Sequence, residues 1–177
     1  TKLFAHGFKD KLMAGFEDLD NQCDGILVNS ENLQALNLLK KRYHRTVKCI
    51  YLDPPYNTGQ DGFPYKDSYQ HSSWLVMLSE RLLCGADLLR RDGVHLVSIG
   101  NDEFDNLSLL LSEVFLDKCT PFVWKSRAKP TNTGDAIYRP QIVAEFVLMN
   151  SFDNKLTFYP LQSGEQRNYP HHGQHGR

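Results

Sequence analysis

Apolar and polar residues follow two alternating periods through the middle of the chain. Short β-branched runs have the composition of strands, and leucine-rich segments with apolar residues every three or four positions have the period of helices. The strand-like runs are residues 25–29, 46–52 and 94–99. The helix-like segments are residues 31–44, 72–91 and 102–115. Because strand and helix alternate, the pattern predicts an α/β fold: a parallel sheet with helices packed against it, joined by right-handed crossovers.

The periodicity changes in the last third of the chain. TPFVWK at 120–125 and IVAEFVLMN at 142–150 are candidate strands, which we expect to pair antiparallel at one edge of the sheet. The pattern divides the chain into an N-terminal segment, 1–24, an α/β core, 25–150, and a polar terminal stretch, 151–177.

Composition limits the class of protein. At 177 residues the chain is long enough for one domain with a hydrophobic core. Its 41% hydrophobic and 23% charged residues are typical of a globular protein, and no apolar run approaches the ~20 residues that span a bilayer. No signal segment follows Thr1, and the four cysteines lack C-x₂-C spacing. We therefore expect a cytoplasmic protein with reduced thiols and no zinc site.

Charge alone gives weak evidence for a nucleic-acid partner. The net charge is −1, whereas DNA-binding domains usually have a basic excess or a basic face. A local basic excess occurs near the last two candidate strands, where one acid, Asp135, is outnumbered by Lys125, Arg127, Lys129 and Arg139. These bases are candidate phosphate contacts, and a solvated loop without a partner is the alternative.

The candidate chemistry lies in DPPYNTG, residues 53–59, which directly follows the strand-like run TVKCIYL. Ligands of open α/β sheets gather at the carboxyl ends of the strands, where this placement puts Asp53. The two prolines fix φ and lack N–H groups, so the turn offers acceptors: the Asp53 carboxylate and the Pro54 carbonyl. Two acceptors suit an –NH₂ group, whose lone pair they localise for attack on an electrophilic carbon. Tyr56 adds a ring on which a planar base can stack.

DPPYNTG resembles the catalytic motif of DNA adenine N6-methyltransferases. The later segments YKDSYQHSSWL, LLRRDGVHLVSIGNDEFDNLSLLLSEVF and IVAEFVLMN are similar, in order, to the modification subunits of type III restriction-modification systems. The resemblance covers residues 25–150 and implies that they form a methyltransferase catalytic subdomain. The implied fold is an incomplete Rossmann-like sheet, mostly parallel, with helices on both faces and antiparallel edge strands. Residues 151–177 would begin the target-recognition region or form a disordered tail.

The resemblance also implies roles for the residues of the motif. Asp53 and the Pro54 carbonyl hold the adenine amine. Pro55 completes the rigid turn, and Tyr56 stacks on a base that has been flipped out of the duplex. The nucleic-acid contacts expected are Tyr56, Asn57, Lys125, Arg127 and Lys129.

The methyl donor that the resemblance implies is S-adenosylmethionine. NSENLQAL is similar to a family segment with Gly-Asp-Asn near the cofactor adenine, which makes Ser30, Glu31 and Asn32 candidate cofactor contacts. Asp53 is a further candidate cofactor contact. Glu31 keeps an acidic acceptor that is one methylene longer, and its alternative role is an exposed first-turn acid that complements the helix dipole. The chemistry requires no metal.

The family's F-x-G-x-G loop is not found in the sequence, so the chain resembles the catalytic half of a larger protein. The implied partners are double-stranded DNA, a restriction subunit with nuclease or helicase activity, and a second copy in a homodimeric full-length form. Two alternatives stay open. One is methylation of another amine, such as cytosine N4, and the other is a module that holds DNA without chemistry.

Other polar residues receive weaker assignments. Ala144, Glu145 and Phe146 stand where relatives often have His-Glu-Tyr, and Phe146 can keep an aromatic face near the flipped base. His71 and His95 are lone histidines, and we expect neither of them to act as a general base.

Overall fold

The computed structural model describes residues 4–59, 66–125, 144–153 and 156, which contain five helices and four strands. The helices are α1 Phe8–Ala14, α2 Leu19–Gln22, α3 Asn32–Tyr43, α4 His71–Leu88 and α5 Phe104–Phe115. The strands are β1 Val47–Leu52, β2 Leu89–Ile99, β3 Thr120–Lys125 and β4 Ala144–Asn150. None of the described helices is long and apolar enough to cross a membrane. The order α3, β1, α4, β2, α5 confirms the predicted alternation of helix and strand.

The four strands form one mixed sheet in the order β1, β2, β4, β3. β1 and β2 are parallel, with Leu52 opposite Val97. β4 is antiparallel to both β2 and β3, so the predicted antiparallel pair at the sheet edge is confirmed. A mostly parallel sheet was expected, but among the described strands the single parallel pairing is that of β1 with β2.

The predicted first strand, residues 25–29, is wrong, because these residues belong to neither a helix nor a strand. Leu27 is 98% exposed and Ile26 is 57% exposed, so these apolar side chains are largely uncovered. A strand is stable only when a neighbouring strand satisfies its backbone hydrogen bonds. The composition of this run favours a strand, and the described part of the chain pairs no strand with it.

One face of the sheet is covered by α4 and α5. Their inward residues recur every four positions, as expected for the apolar stripe of a helix. They are Trp74, Leu78 and Leu82 on α4 and Leu107, Leu111 and Phe115 on α5. They form one buried cluster with Val97 and Ile99 of β2 and Leu148 of β4. Burial of one large apolar side chain contributes about 1.5–3 kcal/mol, so this layer fixes the helices on the sheet.

The opposite face of the sheet is less covered. Tyr51 on β1 is 60% exposed and Trp124 on β3 is 62% exposed. Helices were expected on both faces, and the helices of the buried cluster, α4 and α5, lie on one of them. α3 packs against α4. The open face and the carboxyl ends of the parallel strands are therefore accessible to a ligand.

The parallel pairing of β1 with β2 brings the carboxyl ends of both strands to one edge of the sheet. Asp53 directly follows β1, and Gly100 directly follows β2. The two loops that begin at these residues lie side by side, because Gly100 lies against the Tyr56 ring. The sheet thus places Asp53 at the position where ligands of α/β sheets bind.

A polar pair lies within the core. His95 on β2 is 1% exposed and is paired in register with Asn150 on β4. The His95 ring lies 5.3 Å from the Phe115 ring. Nδ1 of His95 and both polar side-chain atoms of Asn150 have no hydrogen-bond partner among the described residues. Burial lowers the pKa of His95 to about 4, so the core accommodates the neutral imidazole.

We predict that His95 makes the fold sensitive to acid. The unfolded chain binds a proton at this residue near pH 6.5, whereas the folded protein does so only near pH 4. The neutral imidazole therefore contributes stability above pH 6.5, and this stability is lost as the pH falls toward 4. The loss is on the order of 3 kcal/mol, since one pKa unit corresponds to about 1.4 kcal/mol.

His95→Leu removes this titration at similar volume. Urea unfolding at several pH values should show that the free energy of unfolding falls less steeply between pH 6.5 and 4 in this variant than in the unmodified protein. Equal slopes in the two proteins would contradict the prediction.

Candidate active site

The Asp53 side chain is exposed to solvent at the end of β1. Asp53 is exposed, whereas the next residue, Pro54, is buried. Of the ion pairs found in the described ranges, none includes Asp53. A carboxylate with no internal partner is available to accept hydrogen bonds from a ligand.

Asp53 lies in the wall of a cavity of about 310 Å³. The cavity is lined by Tyr51, Asp53, Tyr56, Ser98, Trp124, Glu145, Phe146 and Val147. The rings of Tyr56 and Trp124 provide flat apolar surface, and the carboxylates of Asp53 and Glu145 provide acceptors. Small-molecule sites begin at roughly 300 Å³, so this cavity suits one small planar group that carries N–H donors.

The Tyr56 ring forms one wall of the cavity. Its hydroxyl donates a hydrogen bond to Glu145 Oε2 at 3.3 Å. A Cβ at Gly100 would lie 3.1 Å from Cδ2 of the ring, so glycine leaves the space that the ring occupies. Burial, together with the negative charges of Glu145 and Asp53, raises the pKa of Tyr56 to about 12. The phenol is therefore neutral at physiological pH and keeps its hydrogen for Glu145.

The residues after Tyr56 turn through two left-handed positions. Asn57 has a φ of 62° and Gly59 a φ of 68°, conformations that Asn tolerates and Gly adopts freely. The Asn57 side chain fixes the turn, because Nδ2 donates to the Tyr69 carbonyl at 3.1 Å and Oδ1 accepts from the Tyr69 N–H at 2.6 Å. Nδ2 also donates to Glu103 Oε1 at 2.6 Å. The Asn and Gly of DPPYNTG are thus required by backbone geometry.

Asp67 holds the same turn from further along the loop. Its side chain is buried, with 6% of the residue exposed. It accepts hydrogen bonds from the N–H of Asn57 at 2.8 Å, the hydroxyl of Thr58 at 3.0 Å and the N–H of Gly59 at 3.1 Å. Three donors on consecutive residues stabilise this buried carboxylate and, in return, fix the backbone that follows Tyr56.

The prolines of the motif are anchored to α4. Trp74 is fully buried, and its Nε1 donates to the Pro55 carbonyl at 2.9 Å. Pro54 is buried as well, and no hydrogen bond to its carbonyl oxygen comes from the described residues. The Pro55 carbonyl therefore supports the turn, whereas Pro54 is not among the residues that line the cavity, so its predicted contact with a ligand stays a prediction.

The residues predicted to contact nucleic acid have different environments. Tyr56 lines the cavity, whereas both amide hydrogens of Asn57 are used inside the protein. The structure therefore gives Asn57 a supporting role in the turn and leaves it no free N–H for DNA. Lys125 is exposed at the end of β3. Arg127 and Lys129 lie outside the described residues, so their contacts stay predictions.

The predicted cofactor residues Ser30, Glu31 and Asn32 lie at the start of α3 and not in the cavity wall. All three are exposed. The Glu31 carboxylate accepts a hydrogen bond from the Gln34 N–H at 3.1 Å, and it forms an ion pair with Arg81 at 2.5 Å. This geometry matches the alternative role of Glu31 at the helix N-terminus. Its contact with a cofactor stays a prediction.

Of the residues that line the cavity, Tyr51, Ser98, Trp124 and Val147 were not identified from the sequence, and Glu145 was noted only as part of the segment in which relatives often have His-Glu-Tyr. Trp124 on β3 lies opposite Glu145 on β4, and both line the cavity. The sequence showed Trp124 as an aromatic residue within a predicted strand. Which residue of β4 lies opposite Trp124 depends on the register of β3 and β4, which the sequence does not show. Phe146, which was expected near the base, does line the cavity, and its ring lies 4.5 Å from Phe104.

The sequence resembles known proteins of one family. The sequence model of the DNA methylase family matches residues 47–172. The chain is 41% identical over 92 residues to the probable type III restriction-modification enzyme HindVI Mod subunit of Haemophilus influenzae, a match that covers 52% of this chain and 12% of the relative. It is 30% identical over 150 residues to the type III restriction-modification enzyme EcoP15I Mod subunit of Escherichia coli, covering 67% of this chain and 23% of the relative. The chain thus spans 12–23% of the length of these curated relatives.

The fold resembles that of a Thermus thermophilus protein named as a DNA modification methylase. The TM-score is 0.51 at 15% identity, and the match covers 72% of this chain and 53% of that one. A second structure of that protein, complexed with S-adenosyl-L-methionine, has a TM-score of 0.50 at 13% identity and covers 72% of this chain and 54% of that one. This similarity confirms the predicted incomplete Rossmann-like fold.

We predict that Glu145 contributes to the high pKa of Tyr56. Glu145→Gln removes one of the two carboxylate charges beside the phenol, so the pKa of Tyr56 should fall from about 12 toward 10. Burial of the phenol also raises the pKa, so the pKa of Tyr56 should stay above 10 in this variant. The measurement is an alkaline titration of phenolate absorbance, in which the spectrum of Tyr56→Phe is subtracted to isolate this tyrosine. An identical Tyr56 titration in Glu145→Gln and the unmodified protein would contradict the assignment.

Proposed function

Because this chain belongs to the DNA methylase family, we propose that it forms the catalytic segment of an S-adenosylmethionine-dependent DNA methyltransferase. The proposed reaction adds a methyl group to the N6 amine of an adenine that has been flipped out of the duplex. The observation that carries the proposal is the open Asp53 carboxylate in a cavity with aromatic walls. The family that DPPYNTG and the later segments indicated is confirmed by the family match.

The proposed role of Asp53 and Pro54 is to hold the target amine. The Asp53 carboxylate and the Pro54 carbonyl accept its two hydrogens, which favours a pyramidal nitrogen and localises the lone pair. The carboxylate also stabilises the positive charge that develops as the nitrogen attacks. S-adenosylmethionine, when bound, would supply the electrophilic methyl group and would leave as S-adenosylhomocysteine when its C–S bond breaks, while the amine loses one proton. An acceptor pair fixed in place by Trp74 and Asn57 loses little orientation during the reaction.

The aromatic walls of the cavity are the proposed base-binding surface. Tyr56 and Trp124 offer π-faces on which a base extruded from the duplex can stack. The high pKa of Tyr56 keeps its ring neutral, so the stacking surface carries no negative charge at physiological pH. Stacking of this kind contributes roughly 1–3 kcal/mol per base.

The described residues fit S-adenosylmethionine in part. Asp53 forms no ion pair with any residue that the structure describes and lines the cavity, where the reacting methyl group would approach. A cavity of about 310 Å³ accommodates one base, so the body of the cofactor needs further binding surface. We propose Ser30, Glu31 and Asn32, which are exposed at the start of α3, as part of that surface. The exposed Glu31 carboxylate, which accepts hydrogen bonds from Gln34 and Arg81, retains lone pairs for a cofactor.

We propose double-stranded DNA as the substrate, with Lys125, Arg127 and Lys129 as contacts to its phosphates. The relatives named above are Mod subunits of restriction-modification enzymes, which supports a place in such a system. The proposed partners are a restriction subunit and, in the full-length protein, a second copy. A DNA substrate agrees with a cytoplasmic location.

We predict that Asp53→Ala and Asp53→Asn lower methyl transfer by at least about 10²-fold in the whole protein, since each removes a charge that stabilises the transition state. The matched control is Asp105→Asn, which changes an exposed carboxylate in the first turn of α5 and should keep full activity. Transfer is measured with labelled S-adenosylmethionine, and the methylated base is identified by mass spectrometry of hydrolysed DNA. Retained activity in Asp53→Ala would remove this residue from the mechanism, and N4-methylcytosine as the product would contradict adenine as the target.

Trp124→Ala is predicted to weaken binding of the flipped base by about 1–3 kcal/mol, because one stacking wall is lost. The measurement is the fluorescence of 2-aminopurine placed at the target position of a duplex, which increases when the base leaves the stack. Phe122→Ala is the control, because Phe122 is an exposed aromatic residue on the same face of β3 outside the cavity wall. Equal effects of the two substitutions would argue against Trp124 as part of the base site.

A further inference from the structure

Glu103 is a buried carboxylate that the proposed reaction does not use. It is 0% exposed, immediately precedes α5 and is absent from the cavity wall. Burial of a carboxylate is unfavourable unless donors surround it. Glu103 accepts hydrogen bonds from Asn57 Nδ2 at 2.6 Å, His71 Nδ1 at 2.7 Å and Asn106 Nδ2 at 2.7 Å.

These donors keep Glu103 charged inside the protein. Burial acts to raise its pKa, but the hydrogen bonds from Asn106, Asn57 and His71 hold the pKa of Glu103 below its ordinary value. Hydrogen bonds to a charged acceptor are shorter and roughly twice as strong as neutral ones. Asn57 is therefore bound to a fixed anion that belongs to a different element of the fold.

Asn57 connects this anion to the reacting residues. It directly follows Tyr56 in the motif that begins with Asp53. Its φ of 62° is a conformation that side chains of L-residues disfavour, so external contacts are needed to define it. Asp67 and Tyr69 belong to the loop itself, whereas Glu103 ties Asn57 to the segment between β2 and α5.

We propose that Glu103 is a positioning residue, whose hydrogen bond to Asn57 fixes the direction in which the Asp53 carboxylate and the Tyr56 ring face the cavity. The predicted effect of Glu103 on kcat rests on the proposed methyl transfer. Its predicted effect on the conformation of the turn does not. Misplacement of a reacting group by ~1 Å can lower a rate by about 10²-fold. Loss of this contact should therefore lower kcat, while the KM for DNA, to which phosphate contacts outside the cavity contribute, changes little.

The chain offers a matched set of variants. Glu103→Gln keeps the size of the side chain but turns an –NH₂ group toward Asn57 or Asn106, both of which are donors. The double variant Glu103→Gln/Asn106→Asp restores the pattern, because the amide –NH₂ introduced at position 103 donates to the new carboxylate at position 106, while the amide oxygen accepts from Asn57. Asn106→Asp alone places two carboxylates together. Glu113→Gln is the control, since Glu113 is exposed on the same helix.

Trp74 gives a readout that is independent of catalysis. It is buried and donates to the Pro55 carbonyl, so its fluorescence reports on the DPPYNTG turn. The chain has two tryptophans, and Trp124→Phe leaves Trp74 as the sole emitter. Emission, acrylamide quenching and thermal unfolding are recorded in this background, and kcat and KM are recorded on the whole protein with Trp124 intact.

The expected result is a fall in kcat of about 10- to 100-fold in Glu103→Gln, with KM for DNA within about twofold and a red-shifted, more quenchable Trp74. The double variant should return both kcat and emission to near the original values, even where Glu103→Gln alone fails to fold. Unchanged kcat and emission in folded Glu103→Gln would overturn the proposal. So would a folded double variant that stays impaired. If the unmodified protein transfers no methyl group, the proposed function fails, and Trp74 emission still decides the role of Glu103.

Discussion

The carboxylate of Asp53 has to remain open to the cavity while the backbone that carries it is held still. An open carboxylate and a rigid backbone are difficult to combine at the end of a strand. A loop there is ordinarily mobile, and a carboxylate readily accepts hydrogen bonds from nearby donors. In the structure, the side-chain donors near Asp53 bind other acceptors, and these hydrogen bonds hold the backbone of the turn. Trp74 is bonded to the Pro55 carbonyl, and Asn57 is bonded to Tyr69 and Glu103, so Asp53 keeps its lone pairs for a ligand.

Negative charge is divided between two places around this turn. Behind it, the carboxylates of Asp67 and Glu103 are buried and saturated by internal donors. In front of it, Asp53 and Glu145 line the cavity. A cavity with two acceptor carboxylates repels phosphate and attracts neutral N–H donors, which suits a nucleobase better than the backbone of the nucleic acid. Lys125, a basic residue at the end of β3, is exposed and is not among the residues that line the cavity.

The sheet is asymmetric in the part of the chain that the structure describes. α4 and α5 cover one face with a continuous apolar cluster, and the cavity lies on the other face, at the carboxyl end of β1. This arrangement separates the residues that stabilise the fold from those that meet a ligand.

Local sequence was enough to predict α3, α4, α5 and the four strands of the sheet, because apolar period and turn composition are local properties, whereas it did not predict α1 and α2. DPPYNTG after a β-branched run placed Asp53 and Tyr56 at a strand end. Features that depend on partners distant in sequence emerged only from the folded chain. Residues 25–29 have strand composition but no described neighbour to pair with, and Asn57 has the chemistry of a DNA contact but directs its amide hydrogens to Tyr69 and Glu103. Trp124 and Glu145 reach the cavity through strand register, which local sequence does not encode, because a shift of one residue would turn both side chains to the other face.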